Sequence, residues 1–109
     1  MIKLKGMEIY ISRGDTALID IDLNGDVLPE GTTALVTVSR KPGADRALWE
    51  KTIAVQDGSV ELSLSSAETD YPAREYWWDL RLKTPEGQVQ TPFPPQPFVI
   101  LEVVGDVGE

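Results

Sequence analysis

Asp20 and Asp22 come nearest to a catalytic pattern in this chain. Two apart on a strand, they share one face about 7 Å apart. That is close to a carboxylate spacing used in glycoside hydrolysis. Alternating acids on a strand's outer face are also the ordinary form of a solvated surface, and that reading is the expected one. The loop acids Asp26 and Glu30 could join them around calcium, which takes roughly six to eight oxygens. The spacing of an EF-hand loop is missing.

Other chemistry is narrowly bounded. The chain contains no histidine and no cysteine. That removes the usual general base, Ser-His-Asp and Cys-His arrangements, disulfides and most zinc sites. No glycine-rich phosphate loop precedes a helix. The expectation is a protein that binds or assembles, without catalysis, metal or cofactor. Arg13-Gly14-Asp15 spells an adhesion tripeptide, but it lies where a strand must turn. Gly14 permits that turn and Asp15 can accept a local hydrogen bond.

Three tryptophans offer binding surface. Trp78 aligns with Tyr76, Leu80 and Leu82 and is expected in the core. Trp49 aligns with Ile53 and Val55 and is expected there too. Trp77 points the other way, with Asp79 and Arg81. It is either covered by a loop or a contact residue, and Trp and Arg are enriched at interface hot spots.

The segment from Phe98 to Val104 is apolar on both faces, whereas a sandwich strand should have one polar face. Left open it would invite aggregation. Its cover is expected from Ile2 and Leu4 or from another subunit. Trp77, Asp79 and Arg81, with the outward Val99, Leu101 and Val103, then form a candidate interface to protein partners, a second copy among them. The alternative is a carbohydrate- or cell-surface-binding sandwich using Trp77 and outward acids.

The elements that must position these residues are strands. Met7, Ile9 and Ile11 alternate with polar neighbours, and so do Ala17, Ile19, Ile21 and Leu23. Asn24-Gly25-Asp26 turns the chain. Ala34, Val36 and Val38 form the next inward set. Pro42-Gly43-Ala44-Asp45 leads to a strand from Ala47 to Val55, and Asp57-Gly58 is a hairpin turn before Val60, Leu62 and Leu64. Ser65 and Glu68 match a capping box, which predicts one helical turn before Pro72. A strand over Tyr76–Leu82 is followed by the turn Thr84-Pro85-Glu86-Gly87. Gln88 to Thr91 returns from it. Pro92, Pro94, Pro95 and Pro97 donate no ladder hydrogen bonds, which predicts an extended edge or loop. Phe98 to Val104 is the last strand.

These segments predict an all-β fold, an immunoglobulin-like antiparallel β-sandwich of about seven strands. At 109 residues the chain makes one domain, 1–109, with 105–109 expected as a frayed tail. Its net charge of −8 argues against nucleic acid, whose binding needs clustered Lys and Arg, and against an anionic membrane surface. No apolar run is long enough to span a bilayer. Met1 to Tyr10 lacks a signal-peptide stretch, so cytoplasmic synthesis is expected.

Several segments resemble a family. Ile11-Ser12-Arg13-Gly14-Asp15-Thr16 before an alternating strand resembles the opening of small domains in phage tail and baseplate proteins of Gram-positive hosts, notably the N-terminal domain of baseplate upper proteins. Leu62-Ser63-Leu64, Glu68-Thr69, the strand Glu75-Tyr76-Trp77-Trp78-Asp79-Leu80-Arg81-Leu82, Pro85-Glu86-Gly87, Thr91 and Phe98-Val99-Ile100 are similar to that family's second half. The resemblance covers most of the chain. It implies a structural virion or prophage component that docks to other tail subunits, and it brings no catalytic residues.

Overall fold

The computed structural model describes residues 3–5, 8–23 and 28–103, with backbone alone for 3–5. Seven strands carry the fold: β2 (Glu8–Ser12), β3 (Ala17–Asp22), β4 (Thr33–Ser39), β5 (Ala47–Ala54), β6 (Ser59–Leu64), β7 (Arg74–Lys83) and β8 (Val89–Leu101). A three-residue β1 (Lys3–Lys5) precedes them. The turn read at Asn24-Gly25-Asp26, the tail at 105–109, Met7, and the covering role given to Ile2 and the Leu4 side chain lie outside the described residues.

Two sheets face each other. The main sheet runs β1-β2-β8-β7-β4-β5, and the small one is the hairpin-like pair β3-β6. Every pair is antiparallel except β2 with β8, which is parallel over Ile9↔Phe98 to Ser12↔Leu101. Period-2 alternation places the core as expected. Ile9, Ile11, Val36, Val38, Tyr76, Trp78, Leu80, Phe98 and Ile100 from the main sheet meet Ile19, Ile21, Val60, Leu62 and Leu64 from the small one. Trp78 lies 5.9 Å from Phe93, and Trp49 stands edge-on to Phe98 at 6.4 Å.

The proline cluster lies inside a strand. Val89 to Leu101 is one thirteen-residue strand, in place of two short ones separated by an extended stretch. Its Val89–Pro97 half pairs with β7 on one side and with no other strand among the described residues. A missing N–H is tolerated where it faces away from β7, and adjacent Pro94 and Pro95 cannot both do so. Register shifts between Trp78 and Leu80 and between Leu80 and Leu82 absorb the misfit. The strand also ends earlier than read: Glu102 and Val103 follow it as irregular chain.

The helical turn is present as the 3-10 segment Ala67–Thr69. The capping box is complete. Ser65 N donates to Glu68 Oε1 at 2.8 Å, and Glu68 N donates to Ser65 Oγ at 3.2 Å. Local chemistry alone sets this feature, which is why it is legible in four residues.

Candidate docking face

Tyr76, Trp78, Leu80 and Leu82 of β7 are in the core, so its other face defines what the main sheet presents outside. Trp77, Asp79 and Arg81 stand there in one column, as their spacing requires. Trp77 is half-buried, flanked by Ser39 of β4 and Pro97 of β8. Asp79 sits opposite Thr37 of β4, and Arg81 opposite Leu35.

Asp79 is the unusual member. Its Oδ1 and the Thr37 Oγ1 across from it are both buried without a hydrogen-bond partner. On the β8 side, Pro94 and Pro95 lie between the residues that pair with Trp78 and Leu80, and a proline has no N–H to give. Burial raises the Asp79 pKa, and the Arg81 guanidinium only partly offsets this. A buried acceptor without a donor carries a desolvation cost of about 1–3 kcal/mol.

Arg81 borders a shallow depression of about 340 Å3, walled by Thr33, Leu35, Thr52, Lys83 and Val89. Val89 is 60% exposed.

The other candidates divide. Val99 shares the outer face, half-buried between Tyr10 of β2 and Glu75 of β7. Leu101 closes β8 opposite Ser12 and is 44% exposed. Val103 does not join the row, because the strand has ended and the alternation with it. Tyr10, Leu35, Thr37 and Val89 belong to this face and were not singled out from the sequence. Leu35 carried a signal: it is an apolar residue at an outward position, between Ala34 and Val36.

The carboxylates first considered for chemistry lie on the opposite side of the molecule. Asp20 faces Glu61 directly across the β3–β6 pair, both exposed. Asp22 faces Ser59. Asp26 lies outside the described residues and Glu30 is exposed in a turn. Among the described residues no group of three or more acids, histidines or cysteines is placed to hold a metal.

The Arg13-Gly14-Asp15 triplet is tied into the fold. Gly14 adopts φ +82°, and Asp15 N donates to Ser12 O at 3.1 Å. Arg13 Nε bonds Asp70 Oδ1 at 3.0 Å, Ser66 Oγ donates to Gly14 O at 2.7 Å, and Thr69 Oγ1 donates to Asp15 O at 2.7 Å. Among the described residues no helix is long and apolar enough to cross a membrane. Comparison with family models, with curated proteins and with solved structures finds no match.

Proposed function

We propose that this chain is a non-catalytic docking module whose contact surface is the outer face of β7, β8 and β4. The observation that carries this reading is the centre of that face. A half-buried tryptophan, Trp77, adjoins a half-buried acid, Asp79, whose Oδ1 is buried without a hydrogen-bond partner. Protein interfaces concentrate binding energy in such desolvated aromatic and charged clusters. A partner cation beside the Asp79 carboxylate offsets what burial costs its charged form. The absence of histidine and cysteine supports the non-catalytic part.

A sugar-binding groove is less well supported. It wants two exposed aromatic faces, and Trp78 and Trp49 are engaged with Phe93 and Phe98. Of the three tryptophans, that leaves Trp77.

An immunoglobulin-like topology is part of the proposal. The β2–β8 parallel pair supports it. So does Tyr76 Oη, near the start of β7, donating to Pro72 O at 2.7 Å, in the manner of a tyrosine corner. A role as a phage-like tail or baseplate component is proposed on the resemblance of the Glu75–Leu82 and Phe98–Ile100 segments.

The test is photocrosslinking in cells of the native host. A photoreactive residue replaces Trp77 in one variant and Asp20, on the opposite sheet, in another. Discrete protein adducts from position 77 and none from position 20 are expected. Adducts from neither position, with a melting shift on adding glycans, would sink the docking reading in favour of sugar binding.

A further inference from the structure

The two outer faces of this sandwich differ in charge. The small sheet shows Asp20, Asp22 and Glu61 outward, and neither β3 nor β6 contains a lysine or arginine. The main sheet mixes signs: Glu8, Glu50, Glu75 and Asp79 stand with Arg81 and Lys83. Of the two outer faces, only the main sheet's carries cations among the described residues. Two copies can meet on that face while their acid-only faces point away from each other.

The mixed face is also self-complementary. Asp79 and Arg81 are two apart on one strand, so about 7 Å separates them along one face. Consider a two-fold axis crossing β7 at the level of Leu80, in the plane between two stacked main sheets. It brings Asp79 of each copy opposite Arg81 of the other. The guanidinium then meets the Asp79 carboxylate in a charge-assisted contact. The same axis brings the row of Trp77, with Ser39 and Pro97, opposite the row of Lys83, with Thr33 and Val89. That second row walls the depression of about 340 Å3. Each copy's indole enters the other's depression, with the Lys83 ammonium beside the ring. An isologous interface requires such a knob and its hole on one surface.

Resting on the docking reading above, we propose that the partner of this face is a second copy of the same chain, joined across a two-fold axis with Arg81 on Asp79 and Trp77 in the opposite depression.

Sedimentation velocity on the full chain, up to roughly 1 mM, where even a weak interface is half populated, tests this. Wild type is expected as a dimer. Arg81→Asp alone, Asp79→Arg alone and Trp77→Ala are each expected as monomers with unchanged far-UV circular dichroism. The exchange variant carrying both Arg81→Asp and Asp79→Arg is expected to dimerise again, and Asp20→Arg, on the other sheet, to dimerise as wild type does. A wild-type monomer at the highest concentration overturns the proposal. So do single charge variants that dimerise as wild type does, or a folded exchange variant that stays monomeric. If wild type is monomeric while position 77 crosslinks to a different protein, docking stands and the second copy is removed.

Discussion

Lys51 Nζ lies 2.8 Å from Glu68 Oε1, which fastens β5 of the main sheet to the 3-10 turn that follows β6 of the small one. The same ammonium also donates to Ser63 O and sits 5.7 Å from the Trp49 ring centre. Trp49 Nε1 donates to Glu68 O at 3.0 Å. One lysine, one acid and one tryptophan thus bridge the two sheets where β5 and β6 come together.

This cluster makes stability depend on acid pH. Burial alone would raise the Glu68 pKa, but the Lys51 ammonium and the Ser65 N–H and hydroxyl outweigh it and hold the carboxyl below its ordinary value. A depressed carboxyl contributes stability that is fully present above its unfolded pKa of about 4.3 and is lost as pH falls through the folded value. Glu68→Gln is expected to lower stability by up to about 1 kcal/mol at pH 7, because the pair is partly solvated. The difference from wild type should close below pH ~4. Urea melts at pH 7 and pH 3 check this, and an equal gap at both would refute the ion-pair account.

Asp79 has the opposite sign. Its folded pKa stands above its unfolded one, so the fold disfavours its carboxylate. The domain is then most stable, with respect to this group, below about pH 3.9 and loses stability as pH rises through the folded value. Asp79→Asn is expected to raise the melting temperature at pH 7 by a few °C at most, after allowing for solvent screening. The gain should vanish below about pH 4. Scans at dilute protein keep association out of the measurement. A lower melting temperature for Asp79→Asn at pH 7 would show that the carboxylate has a donor after all.

Tyr76 locks the chain at the entry to β7. Its ring is buried and 6.3 Å from Tyr71, and its hydroxyl holds Pro72 O at 2.7 Å. Tyr76→Phe keeps the ring and leaves the carbonyl without its donor, so a loss of about 1–2 kcal/mol is expected. Tyr76→Ala also opens a cavity and should cost about 3–5 kcal/mol. Equilibrium unfolding separates the two, and a neutral Tyr76→Phe would mean the hydrogen bond carries no net stability.

Much of the fold was legible because strand patterning is a local signal. Ile19 and Ile21, or Val36 and Val38, fall inward because a pleat alternates and a core is apolar. Ser65 and Glu68 were legible for the same reason: their partners are three residues away. The doubly apolar Phe98–Val104 was read as needing cover, and nothing local in it shows which strand runs beside it. Val99 packs beside Tyr10 because β2 lies parallel to β8, a pairing across almost the whole chain. The proline stretch misled because proline reports a missing donor and says nothing of which edge the donor would have served.

By itself, the sequence determined that this is an all-β chain, which residues line its core, and that Trp77, Asp79 and Arg81 share one outward column. Those follow from two-residue periodicity and the short reach of a turn. Only the tertiary structure decided which strands flank that column. It set Thr37 on one side of Asp79 and proline on the other, and left one carboxylate oxygen buried without a donor. It also placed the acids Asp20 and Asp22 on the far side of the sandwich. Charge is written in the sequence, but its desolvation and its partners are set by residues that become neighbours only when distant strands pair.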